Sequence, residues 1–277
     1  MIKNYFWSPH IDPQIATLRS VSNSINSLTR YEKNSKNFLI NVFGEWDTHN
    51  FQLVEKINLI SKRDLKNRKF KGFFNSRYLY FLIFFQSYLP LKKIIERDKP
   101  DYLIIHLITS MPILMFFFNN FKTELILRIS GYPKLNFFRL HLWKIASTKI
   151  KYVICPTEET KNFLLKKKNF DKKQLIFIPD PILDIKKNNI LKKEKLETKF
   201  KEPFFLSVGR FTKQKNHIFL INFFSKNLQY LENYKLIIIG QGELEDDYYK
   251  IIKDNKLENK IEILGYKKNI FNYLYNA

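Results

Sequence analysis

Three short stretches late in this chain place glycines and cations where an anionic ligand would need them. In Ser207-Val-Gly209-Arg210-Phe-Thr-Lys-Gln-Lys215-Asn216 an apolar run ends at a glycine. A short loop bearing Arg and Lys then leads into a helical pattern. Glycine lets the backbone approach a ligand at the carboxyl end of a strand, where open α/β sheets bind ligands. Arg210 offers a bidentate grip on a phosphate and Lys215 a compact second charge. The second stretch, Ile237-Ile-Ile-Gly240-Gln-Gly242-Glu243-Leu244, reads as strand, G-x-G turn and helix start. Such a turn presents N–H groups to an anion. A plain tight turn explains it equally, with Glu243 complementing the helix dipole. The third, Ile261-Glu-Ile-Leu264-Gly265-Tyr266, ends a strand in glycine and leaves main-chain groups free to meet a flat base. A routine strand end reads the same way.

Other chemistries are excluded by composition. A single cysteine, Cys155, rules out a disulfide scaffold and a Cys-rich zinc site, so no metal is expected. No carboxylate pair stands out for general acid–base work. Among 277 residues, 45% are hydrophobic and 16% aromatic, enough for a real core. The net charge of +22 is uneven, and most of it falls within residues 1–180. The densest part, Ser61–Arg77, holds seven bases, one acid and three phenylalanines. It is either a solvated basic loop or a segment attracted to anionic lipid or nucleic acid. Nucleic acid is the weaker partner, because no recognition helix, zinc finger or RNA-binding aromatic motif accompanies the charge.

These residues need elements to hold them. Apolar runs at Ile2–Trp7, Phe38–Phe43, Tyr102–His106, Glu124–Ile129, Tyr152–Cys155 and Leu175–Ile178 read as strands. Pro13–Arg30, Tyr78–Arg97, Asn136–Thr148 and Glu158–Lys168 read as helices, and Tyr102–Phe118 as a strand running into a helix around Pro112. A second alternation follows, with strands at Phe204–Val208, Lys235–Ile239 and Ile261–Leu264. Helices follow them at Asn216–Leu228, Glu243–Lys256 and Lys268–Asn276. Short apolar strands spaced by helices predict parallel sheets covered on both faces. The expected organisation is a first α/β domain over 1–183, a charged linker over 184–202 and part of a second domain over 203–277. Tyr78–Leu91 is too short to span a bilayer, and the first residues lack the apolar run of a signal peptide. The expected location is cytoplasmic, at most peripheral to the inner membrane face.

In order and spacing, SVGRFTKQKN, YKLIIIGQGEL and IEILGY resemble the family-4 retaining glycosyltransferases of GT-B architecture. KPDYLIIH (Lys99–His106), YVICPT (Tyr152–Thr157) and FIPDP (Phe177–Pro181) are similar to parts of the first domain of those enzymes. The resemblance implies an α/β fold of two doubly wound, Rossmann-like parallel-sheet domains, the second incomplete. It implies transfer of a sugar from a UDP- or GDP-sugar donor, itself a substrate, so no cofactor is expected. The acceptor would be a hydroxyl of a cell-surface glycan or lipid-linked acceptor. Arg210 and Lys215 would neutralise the donor diphosphate, beside Gly209. Gly240 and Gly242 would lie on the glycine turn beside the donor, and Leu264 and Gly265 at the base. Retention would need no protein nucleophile.

The chain also departs from that pattern. Ser8–Thr17 stands where many members carry a glycine-rich loop; Asp12, Gln14 and Thr17 either hydrogen-bond a ligand or cap a helix. A family histidine is absent from Arg128-Ile-Ser130-Gly-Tyr-Pro133, which leaves His106 as the catalytic candidate against the donor sugar. A structural histidine at a strand end is the competing reading. The family's further strand and paired glutamates lie beyond Tyr275-Asn276-Ala277, so truncation is expected. The rivals are an epimerase or hydrolase of the same architecture, a non-catalytic basic binding protein, and an inactive fragment.

Overall fold

A computed structural model describes residues 1–11, 17–49, 51, 54–60, 73–133, 135–197 and 200–277. The chain divides into two units, Met1–Ile182 and Leu183–Ala277.

In the first unit seven strands form one parallel sheet. They are β1 (Ile2–Trp7), β2 (Ser35–Asn41), β3 (Glu55–Asn58), β4 (Tyr102–Ile105), β5 (Glu124–Arg128), β6 (Ile150–Cys155) and β7 (Leu175–Phe177). Their order is β3-β2-β1-β4-β5-β6-β7. The succession of strands reverses between the parallel neighbours β1 and β4, where Trp7 pairs with Ile105, so the crevice of an open α/β sheet falls at their carboxyl ends. Both faces are covered. Tyr5, Trp7, Leu103 and Ile105 point into one core with α2 (Phe73–Asp98), α3 (Ser110–Phe118), α4 (Phe137–Ala146) and α5 (Glu158–Lys166). Phe6 and Ile104 point the other way, onto α1 (Thr17–Tyr31) and Trp46. α1 meets the sheet through Leu18, Val21 and Ile25, one face of a helical period.

The second unit has a three-stranded parallel sheet ordered β10-β9-β8. Its strands are β8 (Phe204–Val208), β9 (Lys235–Ile239) and β10 (Ile261–Ile263). Around them lie α6 (Ile185–Leu191), α7 (His217–Lys226), α8 (Glu245–Asp254) and α9 (Phe271–Asn276). β9 is buried from Leu236 to Ile239 on both sides. That is why it reads as an unbroken aliphatic run.

Two local expectations change. The linker over 184–202 contains α6, started by Asp184, whose carboxylate accepts from the Lys187 N–H at 3.1 Å. Leu196 and Phe200 then pack against Phe204 and Tyr273 in the second unit's core. As expected, the strand β4 is followed by a helix around Pro112. That proline stands in the first turn of α3, where a missing N–H costs nothing. β3 was not expected; it is a four-residue edge strand on β2 with exposed ends. Asp12, Gln14 and residues 61–72 of the basic stretch lie outside the described residues, and Thr17 opens α1. No described helix is long and apolar enough to cross a membrane.

Candidate functional site

Seven of the eight expected site residues come together at the carboxyl edge of the β8-β9-β10 sheet. Main-chain hydrogen bonds knit the three loops there. Gly209 N–H donates to Ile239 O at 2.9 Å, Phe211 N–H to Gln241 O at 3.0 Å, and Leu244 N–H to Phe211 O at 3.2 Å. Gly240 N–H donates to Gly265 O at 2.9 Å and Leu264 N–H to Ile238 O at 3.0 Å. The Gly240 amide is thus committed to a neighbouring loop rather than left open for an anion.

Close approach explains the two glycines of the G-x-G turn. A Cβ on Gly240 would stand 1.9 Å from the Gly209 carbonyl oxygen, and one on Gly242 would stand 2.5 Å from that of Phe211. Gly265 is different. It has open space around it but a φ of +66°, a left-handed conformation that favours glycine. A Cβ on Gly209 would reach ordinary contact, 3.4 Å, with the Lys215 side chain and His217 Nε2. The floor of this edge is therefore main chain, on which Arg210 and Lys215 stand exposed. Leu264 turns inward against the core of Phe204, Ile237 and Tyr273.

Beneath the Arg210 loop is a residue the sequence reading passed over. His217, the first residue of α7, is buried, and its Nδ1 lies 3.0 Å from Ser207 Oγ. Its Nε2 is buried without a hydrogen-bond partner among the described residues. Phe211 and Tyr248 meet the ring edge-on, at centroid distances of 5.6 and 5.8 Å. Burial holds the imidazole below its ordinary pKa. Asn216 before it takes a left-handed φ of 53°, which a short polar side chain tolerates. The only signal for His217 was its place next to the Gly-Arg-Lys stretch.

His106 belongs to the first unit, just past β4 in the β1/β4 crevice. Its N–H donates to Trp7 O at 3.0 Å, and its ring stacks on Phe6 at 6.2 Å. Neither ring nitrogen has a hydrogen-bond partner among the described residues. Burial, with the Arg128 charge adding to it, pushes its pKa down to about 3. Such an imidazole gives or takes a hydrogen bond but is a poor general base near neutrality. Ser8, directly after β1, is also buried, with a hydroxyl that has no partner among the described residues. Arg128 is held by Asp180 through Nη2 at 2.8 Å and Nε at 3.2 Å, and by the Pro179 carbonyl. Further along the same edge, Glu45 accepts from the Val42 and Phe43 N–H groups at 3.1 and 2.9 Å. Burial nevertheless raises its carboxyl pKa to about 7. Among the described residues no cluster of His, Cys, Asp and Glu is built to hold a metal ion.

Known proteins with the same architecture give this geometry its context. Residues 188–277 match the family described as Glycosyl transferases group 1. An uncharacterised glycosyltransferase of Methanocaldococcus jannaschii is 30% identical over 205 residues, which are 67% of this chain and 50% of that protein. A Campylobacter jejuni N-acetylgalactosamine-N,N'-diacetylbacillosaminyl-diphospho-undecaprenol 4-alpha-N-acetylgalactosaminyltransferase is 38% identical over 86 residues, 31% of this chain and 23% of its own. The chain thus spans half or less of the length of these relatives. The crystal structure of Anabaena Alr3699/HepE with UDP-glucose superposes with a TM-score of 0.62 at 14% identity, over 99% of this chain and 71% of that one. At that identity the likeness is one of fold: an α/β fold of the GT-B glycosyltransferase type.

Proposed function

We propose that this chain transfers a glycosyl group from a nucleotide-sugar donor, UDP- or GDP-linked, to a hydroxyl of a glycan or lipid-linked acceptor, with retention. The observation that carries the reading is the glycine-floored edge of β8, β9 and β10, with Arg210 and Lys215 exposed above it. A diphosphate fits that chemistry, since a flat main-chain floor admits close approach and two cations supply the counter-charge. The bond from the anomeric carbon to the diphosphate oxygen breaks as the acceptor oxygen bonds to that carbon. The acceptor's proton passes to the departing phosphate. Negative charge grows on the leaving group, and Arg210 and Lys215 are worth most at that moment. Leu264 and Gly265 supply main chain for the base. His106, neutral and with neither ring nitrogen bonded among the described residues, suits a hydrogen bond to a sugar hydroxyl. The undecaprenol-linked substrate in the Campylobacter relative's name supports a lipid-linked acceptor. The bases of 61–77 would favour an anionic inner leaflet.

The test is calorimetric titration of UDP and GDP into the wild-type chain and into Arg210→Ala and Lys215→Ala. Each charge-assisted contact to phosphate contributes about 1.5–3 kcal/mol, so each variant should bind on the order of 10- to 100-fold more weakly. Equal affinity in all three proteins would remove the site.

A further inference from the structure

The loop over residues 209–216, between β8 and α7, carries both candidate phosphate cations, and its two halves are held differently. The first half is pinned twice. Gly209 N–H is bonded to the Ile239 carbonyl, and Phe211 is wholly buried in the core with its N–H on Gln241 O. Arg210 stands between these two anchors. The second half is more open. Every residue from Lys213 to Asn216 is exposed, and the Lys215 and Asn216 N–H groups donate to Thr212 O, within the loop itself, at 3.0 and 3.3 Å. The tie of this half to the sheet is a side-chain pair. Ser207, last but one in β8, faces His217, the first residue of α7, with Oγ 3.0 Å from Nδ1. The pair closes the neck of the loop, because its members stand on either side of it. Asn216, at a left-handed φ of 53°, turns the chain so that His217 is 2% exposed while Lys215 stays outside. Phe211 and Tyr248 meet the imidazole edge-on and fix its plane. The ring also reaches Lys215. A Cβ on Gly209 would lie 3.4 Å from His217 Nε2 and 3.4 Å from both Cγ and Cδ of Lys215. Imidazole edge and lysine stem therefore border the same small gap over Gly209.

We propose that His217, clasped to Ser207, is a positioning residue for Lys215: it fixes the second half of the loop and the lysine stem, and through them the charge that meets the donor diphosphate. It touches neither donor nor acceptor, being buried beneath the loop. The hydroxyl of Ser207 can give or take the proton, so the clasp forms with either neutral tautomer of the ring. A lysine has a long flexible stem and loses rotamer freedom whenever its ammonium is held in one place. A stem already bordered by a fixed ring loses less of that freedom on binding, which is the gain that preorganisation brings. Arg210 needs no such help, since its neighbours on both sides are anchored without the clasp. The proposal rests on the donor-site reading above and deepens it.

The experiment titrates UDP and uridine into the full chain by NMR and follows amide exchange of the loop in the unliganded chain. The proteins are wild type, Ser207→Ala, His217→Phe, the two together, and His217→Asn. His217→Phe is also placed on Lys215→Ala and on Arg210→Ala. A neutral hydrogen bond sets a preference of about 2- to 10-fold. Ser207→Ala and His217→Phe should each weaken UDP by about that factor, leave uridine unchanged, and speed exchange at 213–216 but not in β9. The two together should be no weaker than either alone, since one bond is lost in all three. On Lys215→Ala, His217→Phe should have no further effect on UDP; on Arg210→Ala it should keep its full effect. His217→Asn, whose amide can meet Ser207 Oγ from near the place of Nδ1, should recover most of the affinity. Equal losses for UDP and uridine would mean a merely structural histidine and overturn the proposal. Additive single variants overturn it as well, and so does a full effect on Lys215→Ala. A wild type that binds UDP no better than uridine would instead strike the donor site. That failure is distinct, because exchange in the unliganded chain still reports whether the clasp holds the loop, and unaltered exchange in both single variants overturns the clasp itself.

Discussion

The carboxyl edges of the two sheets solve the same problem with different materials. In the second unit the edge is built from main chain: three loops bonded to one another, glycines at the closest approaches, and two exposed cations above them. In the first unit the edge is built from side chains: His106, Ser8 and Arg128 are buried, and Asp180 and Glu45 are partly so. A main-chain edge reads little of its ligand beyond shape and charge, which suits a group shared by many donors. Buried side chains are expensive to place and carry more discrimination.

The largest effect should come from breaking the main-chain edge. In Gly240→Ala the new methyl meets the Gly209 carbonyl at 1.9 Å, a clash with backbone that no rotamer relieves. A loss of about 3 kcal/mol is expected. Gly265→Ala should cost about 1 kcal/mol, through its φ of +66° alone. Gly209→Ala, with 3.4 Å of room, should be near neutral in stability. All three tryptophans, Trp7, Trp46 and Trp143, belong to the first unit. Their fluorescence unfolding midpoint should therefore hold in Gly240→Ala while amide exchange in β8 and β9 accelerates. Equal costs for Gly240→Ala and Gly265→Ala would mean that close approach is not what selects glycine at Gly240.

In the first unit the corresponding break is Asp180→Ala, which leaves the Arg128 guanidinium buried without its carboxylate. Removing one member of a buried pair costs about 3–5 kcal/mol. Asp180 is 22% exposed, so about 2 kcal/mol is the reasonable expectation. Here the tryptophan midpoint should move, the opposite of Gly240→Ala. Replacing both partners, Arg128→Met with Asp180→Leu, should recover most of the loss, because no charge is then left uncompensated. If the double variant is no more stable than the single one, the pair does more than neutralise itself.

How far each edge was legible in the sequence follows from the same contrast. Strand β9 falls on the residues its apolar run predicts, because burial on both faces leaves an unbroken aliphatic signature; β8 also falls where its apolar run predicts, although as an edge strand it buries Phe204 and exposes Phe205 and Val208. The glycine, Arg and Lys positions of the second edge were visible because they sit in three short local stretches. β3 was not, since an edge strand of Glu-Lys-Ile-Asn has no apolar run to show. The first edge was read poorly for a related reason. Arg128 and Asp180 are separated by 52 residues, and nothing local to either announces the other. His217 escaped because a lone histidine after a polar loop carries no pattern. Its role comes from contacts with Ser207 and Tyr248 that only the fold creates.

The smallest effect is a slope rather than a loss. Glu45 closes the loop after β2 with two accepted N–H bonds, and burial still lifts its pKa from 4.5 to about 7. The folded chain therefore holds that proton more tightly than the unfolded chain. The carboxylic acid form favours folding fully below about pH 4.5, and that contribution is lost as the pH rises to about 7, beyond which it is flat. Glu45→Gln removes the titration but keeps one acceptor, so it should lower stability at pH 4 and flatten the decline between pH 4.5 and 7. Urea midpoints by tryptophan fluorescence across that range measure it, since Trp46 follows directly. Parallel slopes in wild type and variant would show that Glu45 is hydrated enough to ionise freely. The first edge would then be less dry than its buried side chains imply, and its contrast with the main-chain edge correspondingly weaker.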